Sequence, residues 1–385
     1  MKLRALGLLC ALAPITCRVA SPPFHGWNAQ THEVALDGWR GMEQTADVVG
    51  ALGREMHLLP GLLSAQEIAE LHDVALRCTA FETEEADSVD KEPTYQAWIF
   101  EDGQPTAGAA EVADLLIPIV EERLLPYVRA KFGCPDACLA DVLLRRYQAG
   151  ERTSLNLHYD VQAFATAIIP LSVQLDQASP PSEAEAPAAP STYAGGLFVQ
   201  GGPSLASRRL VRFESPGDVL VHQFDLMHGV DVSSGVRYAV ALWFSQSATS
   251  RAEGTAPWVR AAAEAGNADA QFVMASFCAQ GRFGTPRDES AAARWLERGA
   301  AQGHAVSQLG LGRHRLGQGA EAEAAESFRA AAEQGHVEAQ YTLALCHLDG
   351  LGVAQSVSDA RYWLAAAAEQ GGEFGEAAAL ELEAL

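Results

Sequence analysis

The chain has 385 residues, with 27 Lys and Arg against 49 Asp and Glu, and a formal net charge of -22. That length provides for two or three domains with ample core. The acidic balance argues against a nucleic-acid partner; it suits basic peptide partners, or no more than a solvated acidic surface.

The N-terminus reads Met1-Lys2-Leu3-Arg4, followed by an apolar run from Ala5 to Ile15, and no acid precedes Glu33. Residues 1–20 therefore read as a secretory signal peptide with Ala20 at the cleavage point, which would place the protein in the endoplasmic reticulum lumen. An organellar transit peptide is the alternative, because Lys2, Arg4 and Arg18 without acids fit that class too. The run is too short, and broken by Pro14, to be a spanning membrane segment. Residues 21–50 read as a flexible lead-in.

Two helices are expected within 51–140. Ser64-Ala65-Gln66-Glu67 is a capping box that opens an amphipathic helix to about Arg77. Glu111 to Phe132 carries an apolar stripe of Leu115, Leu116, Ile119, Val120, Leu124 and Leu125, with Pro118 and Pro126 as kink points. Beyond the leader, five of the seven cysteines remain: Cys78, Cys134, Cys138, Cys278 and Cys346. An odd number cannot all pair within one chain. Cys134 and Cys138 could close a small disulfide loop in an oxidising lumen, and Cys278 and Cys346 fall on helices as buried thiols.

Residues 141–247 read as a β core. Leu155 to Asp160 alternates, so His158 and Asp160 point to one face of a strand. Phe164 to Leu175 is a second β-rich run, containing Thr166. Asp218 to Phe224 is a third strand, and Asp225 to Gly229 is a turn that leaves His228 at the mouth of the next. Ser233-Ser234-Gly235 is a hairpin signal. The strand after it puts Arg237, Ala239, Ala241 and Trp243 on one side. Gln177 to Thr192 is an Ala/Pro/Glu-rich insertion with a disordered composition, more simply a tolerated surface insertion than a lid.

His158, Asp160 and His228 supply two imidazoles and a carboxylate, which can hold Fe(II) on one face and leave the opposite positions open. His222 is the rival for the second imidazole; it sits in mid-strand, where a histidine is more often packed than ligating, so His228 is preferred and His222 is left as a group behind the ligands. Arg237, nine residues after His228, adds an always-charged fork for a carboxylate. On a buried face such a cation is costly without an anionic partner.

These stretches carry a resemblance. Arg146 to Glu151, His158-Tyr159-Asp160, Gly195-Gly196-Leu197-Phe198, Gly217 to Leu220, His228-Gly229-Val230 and Gly235 to Tyr238 resemble the prolyl 4-hydroxylase-like superfamily over about residues 55–247. Leu58 to Ser64 looks like that family's entry segment. The resemblance implies a double-stranded β-helix, or jelly roll, with buttressing helices. It implies that His158, Asp160 and His228 ligate Fe(II) and that Arg237 binds the distal carboxylate of 2-oxoglutarate. Tyr147 and Thr166 are the further candidates for binding that co-substrate. O2 and ascorbate would complete the system, and the substrate would be a protein or peptide, with proline preferred. Prolyl 4-hydroxylases usually carry Lys at the place of Arg237 and one more residue before it. The stretch from Tyr147 to His158 looks closer to procollagen lysyl hydroxylases, so peptidyl lysine is the second target. A repeat adaptor with an inactive jelly roll is the non-enzymatic contrast.

From Pro257 the chain turns to Ala-rich helices. The phrase Ala261 to Gly266 recurs at Gly299 to Gly303, Ala330 to Gly335 and Ala366 to Gly371. Gln271, Gln308 and Gln340 each follow the phrase's glycine by five residues. This is the pattern of an α-solenoid of helix–turn–helix repeats, giving an α+β part followed by an all-α part. The wording resembles SEL-type repeats, relatives of tetratricopeptide repeats, over about 256–374, which implies protein partners. Gly350-Leu351-Gly352-Val353 matches that family's loop, and Gly317-Gln318-Gly319 is a shortened version. The dioxygenase-like domain then spans 51–250.

Overall fold

The protein is described from a computed structural model that covers residues 56–81, 87, 93–175 and 191–385. The expected signal peptide, the lead-in and most of the 177–192 insertion lie outside the described residues. The chain divides into two bodies. Among the described residues, one contains those from 56 to 199 and from 209 to 265; the other contains 200–208 and 266–385.

In the first body, Ser64 caps helix α1 (Ala65–Arg77) as its sequence predicts. The Glu67 backbone N–H donates to Ser64 Oγ at 3.2 Å, and the Ser64 N–H donates back to Glu67 Oε2 at 2.7 Å. Ile68, Leu71, His72 and Ala75 recur at helical spacing and are buried. The second helical run is α2 (Ala110–Ile119), a π-helical turn at Val120–Leu124, and α3 (Leu125–Lys131). Pro118 and Pro126 each remove a backbone donor, and the chain answers by widening to a π turn rather than breaking.

The strands are β1 (Met56–Leu59), β2 (Gln96–Glu101), β3 (Gln104–Pro105), β4 (Cys138–Gln148), β5 (Ser154–His158), β6 (Ala165–Pro170), β7 (Val173–Gln174), β8 (Thr192–Gln200), β9 (Arg208–Leu210), β10 (Val219–Gln223) and β11 (His228–Ser245). One layer runs β1-β10-β6-β11-β4-β2-β3. A second layer joins β5 and β8 to the first part of β11, with β7 and β9 beside β8. Core side chains from both layers form one cluster: Leu58, Ile168 and Leu220 from the first, Leu155, Leu197 and Val199 from the second. Each such side chain contributes roughly 1.5–3 kcal/mol on burial. This is the double-stranded β-helix architecture. The other face of the first layer is covered by the helices, where His72 of α1 meets Tyr238 at 5.6 Å and Phe132 meets His57 at 5.9 Å.

The structure corrects two expectations. Ser233-Ser234-Gly235 is not a hairpin: β11 continues through it. Its first part pairs with β5 and β8 in one layer, and Val236 onward pairs with β4 and β6 in the other. The small residues make the corner at which the strand changes layers, and Gly235 has φ +80°, where a Cβ would lie 2.1 Å from the Thr192 carbonyl oxygen. Cys134 and Cys138 are free thiols rather than a disulfide; Cys134 is buried and donates to the Gln246 carbonyl at 3.2 Å, and burial pushes its thiol up to about 11.

The first body closes with α4 (Ala248–Glu253) and α5 (Pro257–Glu264). The division between bodies thus falls at 265/266 rather than at 250–256. The first Ala-rich phrase closes α5, whose buried Trp258 packs edge-on against Phe164 of the β core at 6.1 Å. The second body contains α6 (Ala268–Gln280), α7 (Glu289–Ala301), α8 (Ala305–Gly317), α9 (Glu321–Glu333), α10 (Val337–Asp349), α11 (Val357–Ala368) and α12 (Gly372–Glu383). The repeated glutamines explain themselves here. Gln302 donates to Gln271 at 2.8 Å, Gln334 to Gln308 at 2.7 Å and Gln370 to Gln340 at 2.8 Å, so each repeat is tied to the next by the same amide pair. Asn267, His304 and His336, each following a phrase glycine, cap the helix that comes next.

Candidate metal and anion site

His158 ends β5, Asp160 follows it, and His228 begins β11 directly opposite His158 in the strand register. The three are 7%, 3% and 4% exposed, so water cannot satisfy them. His158 Nδ1 lies 2.8 Å from the Asn156 carbonyl oxygen and His228 Nδ1 lies 2.9 Å from that of Leu226. A carbonyl only accepts, so both Nδ1 atoms carry the proton and both Nε2 lone pairs are free. Those lone pairs converge on the carboxylate: His158 Nε2 is 3.7 Å from Asp160 Oδ1, and His228 Nε2 is 3.7 Å from Asp160 Oδ2. One donor atom from each residue lies within 4.8 Å of the others.

The electrostatics suit a divalent cation. Burial holds the His158 imidazole well below its ordinary range, and the neighbouring charges of His228 and Arg145 add to this against the pull of Asp160. Burial alone would raise Asp160, but His228, His158, His222 and the Thr166 hydroxyl overcome it, so the carboxylate stays ionised. Thr166 Oγ1 donates to Asp160 Oδ2 at 2.8 Å, so this hydroxyl orients the carboxylate. His222 is wholly buried and is held through Nδ1 by the Gln223 carbonyl at 2.7 Å. Its Nε2 lies 4.0 Å from Asp160 Oδ2 and has no hydrogen-bond partner. It stands behind the triad and outside the converging set. The donors present, two imidazoles and one carboxylate on one face, fit a three-ligand metal site with open positions.

Arg237 lies on the same inner face. Register places Arg237 opposite Tyr147, Ala239 opposite Arg145 and Pro170, and Trp243 opposite Thr166, which itself pairs with His222. Alternation along β11 puts Arg237, Ala239, Ala241 and Trp243 on one side, as the sequence predicts. Arg237 is 2% exposed, and its Nε has no hydrogen-bond partner. Its guanidinium lies 5.4 Å from the Tyr147 ring centre and 5.8 Å from that of Tyr193. No carboxylate among the described residues lies within ion-pair distance of it. A guanidinium so placed is costly without an anionic partner, which makes it a candidate to hold an anion.

Sequence reasoning missed Arg145, Gln96, Trp98 and Tyr193. Arg145 lies two residues before Tyr147, so alternation alone could have placed it on the inner face. Gln96, Trp98 and Tyr193 join only through strand pairing, which no local pattern revealed.

The Sel1 repeat family matches residues 268–304 and 337–372. An uncharacterized protein of Neisseria meningitidis serogroup B (strain ATCC BAA-335 / MC58) is 36% identical over 110 residues, which is 27% of this chain and 23% of that protein; the chain thus spans about a quarter of that relative's length. Among solved structures, a Sel1 repeat protein from Oxalobacter formigenes is 30% identical over 33% of this chain and 96% of its own, with TM-score 0.31. A 2OG-Fe(II) oxygenase family oxidoreductase from Burkholderia pseudomallei is 18% identical over 54% of this chain and 93% of its own, with TM-score 0.38. Scores of this size leave the fold to rest on the strand pairing described above. The matched segments are the helix pairs α6–α7 and α10–α11, and the C-terminal body of this chain therefore carries Sel1 repeats.

Proposed function

We propose that the protein is an Fe(II)- and 2-oxoglutarate-dependent dioxygenase that hydroxylates a peptidyl residue, proline before lysine. The observation that carries this reading is the pairing, on one inner face, of a converging His158–Asp160–His228 set with a buried Arg237 that has no carboxylate partner among the described residues. His158, Asp160 and His228 would hold Fe(II), and Arg237 with Tyr147 would hold the distal carboxylate of 2-oxoglutarate. When bound, iron and co-substrate supply the oxidising power that places one oxygen atom of O2 on a C–H bond, with 2-oxoglutarate converted to succinate and CO2.

The chain's own part is positioning. The Asn156 and Leu226 carbonyls fix the two imidazole tautomers, and Thr166 fixes the carboxylate. Tyr147 and Tyr193 each set a ring near the guanidinium, at 5.4 and 5.8 Å. The buried walls exclude bulk water, so a charged contact inside is stronger than it would be outside. The Sel1 repeats would bind a protein partner or the protein substrate, ascorbate would keep the iron reduced, and the leader-like start at Met1 to Ala20 supports entry into the secretory pathway.

The deciding experiment incubates full-length protein with Fe(II), 2-oxoglutarate, ascorbate and peptide libraries. It measures succinate and a mass gain of one oxygen on a peptide. Absence of both, with no 2-oxoglutarate binding by calorimetry, rejects the proposal.

A further inference from the structure

Assigning 2-oxoglutarate to Arg237 and the triad leaves one inner-face cation without an assigned ligand. Arg145 on β4 stands between Gln96 of β2 and Ala239 of β11 in the register, one alternation step from Tyr147. Its Nη2 reaches Asp87 Oδ2 at 2.8 Å, an oxygen that Arg152 Nη1 also contacts at 3.1 Å. The other terminal nitrogen, Nη1, is buried with no hydrogen-bond partner. In the register Arg145 lies one row from Arg237 and Tyr147 and two rows from Trp243 and Thr166, on the same inner face.

The surroundings of Nη1 have the character of a recognition patch. Gln96 Oε1 is buried and unpartnered, and so is the indole N–H of Trp243. The next row carries Trp98, Leu143 and Ala241. Trp98 and Trp243 are half-buried, with ring centres 6.0 Å apart and planes tilted by 51°. A charged donor and an amide acceptor share one row of the inner face, and the two indoles occupy the next two rows beside Ala241. A buried donor left without a partner costs about 1–3 kcal/mol, which an acceptor on a ligand would recover.

We infer that Arg145 binds a carboxylate of the prime substrate, so that the hydroxylated residue lies next to an acidic side chain. The inference rests on the dioxygenase reading above. 2-Oxoglutarate has two carboxylates; one is matched by Arg237 and the other by the cation at the triad, which leaves Arg145 for the second substrate. A lysine side chain at this neighbouring position would face a like charge, so Arg145 turns the choice of sequence context away from basic neighbours.

The test uses full-length protein loaded with Zn(II), which binds without turnover. 2-Oxoglutarate is titrated first by calorimetry. At saturating 2-oxoglutarate, three acetylated and amidated tetrapeptides follow: Gly-Pro-Asp-Gly and its Asn and Lys counterparts. The Asp peptide is expected to bind about tenfold or more tighter than the Asn peptide, as a charge-assisted contact gives, and the Lys peptide not at all. Arg145→Gln should erase the Asp preference and move 2-oxoglutarate affinity by less than about threefold. Arg145→Lys should keep part of the preference, and it carries the comparison if the Gln variant melts early. Equal binding of the Asp and Asn peptides, or no binding of the Asp peptide, overturns the inference. So does a loss of 2-oxoglutarate affinity in Arg145→Gln as large as the loss for peptide, which would make Arg145 a co-substrate residue. Failure of the dioxygenase reading shows separately, as no heat in the first titration.

Discussion

Replacing Arg237 with Met should weaken 2-oxoglutarate binding while leaving the ligand-free protein about as stable as before. In the free protein the guanidinium has two ring contacts, at 5.4 and 5.8 Å, and no carboxylate partner among the described residues. Two desolvated cation–π contacts contribute about 2–4 kcal/mol together. Burying an unpaired cation costs several kcal/mol in the opposite direction. The two effects nearly cancel, and Met restores much of the volume, so the ligand-free Tm should move by no more than about 4 °C. Binding has no such cancellation: losing a desolvated, charge-assisted contact costs on the order of 2–4 kcal/mol, a weakening of roughly 30- to 1000-fold. The assay is calorimetric titration of 2-oxoglutarate into Zn(II)-loaded protein, beside thermal melts without ligand. Arg237→Lys should fall between wild type and Met. A large drop in the ligand-free Tm with unchanged 2-oxoglutarate affinity would show that Arg237 is structural and refute the reasoning.

Alanine at His158, Asp160 or His228 should abolish stoichiometric binding of Fe(II) or Co(II) measured by elemental analysis, whereas His222→Ala should keep most of it; the reverse pattern would exchange the roles of His228 and His222. In the helical body, burial first, then Arg313 and His304, lowers His336 to about 4. An imidazole depressed in the fold contributes stability that is present above about pH 6.5 and lost as pH falls toward 4, because the unfolded chain then takes up a proton that the folded chain refuses. His336→Asn keeps a helix cap, as Asn267 does at the equivalent place, and should flatten melting temperature against pH over that window. Gly312→Ala should destabilise the same body by about 1–3 kcal/mol through overpacking, since its new Cβ would lie 2.4 Å from Phe328 Cε1; an unchanged melt would mean that Phe328 moves aside freely.

Local chemistry was legible in the sequence, and pairing between distant segments was not. The capping box at Ser64 and the face shared by Arg237, Ala239, Ala241 and Trp243 follow from spacing alone, because a helix repeats every 3.6 residues and a strand every two. The phrase glycines and the glutamines five residues on were visible as a repeat; that each such Gln pairs across to the next copy needed coordinates. The corner at Ser233 to Gly235 was taken for a hairpin because small residues with one positive φ serve both geometries, and only the change of partner strands separates them. Arg145 was hidden for a related reason. The adjacent Arg146 pairs with Glu151 near the surface, and only the alternation with Tyr147 marks Arg145 as the one facing inward.

The continuity of β11 makes the distance between the metal-binding and anion-binding ends a matter of counting. His228 is fixed in one layer by pairing with β5 and Arg237 in the other by pairing with β4, and the same backbone carries both. In the proposed dioxygenase the strand would work as a ruler: the length of co-substrate that fits would be set by how many residues turn the corner, rather than by the size of any side chain. A period of two makes the ruler unforgiving. Deleting one residue from Ser233 to Gly235 would bring Tyr238 to the place of Arg237 and turn the guanidinium toward the helix side. Lineages that alter the chosen acid should therefore change the cation in place or shift it by whole pleats, and a shift of one residue should be accompanied by a compensating bulge.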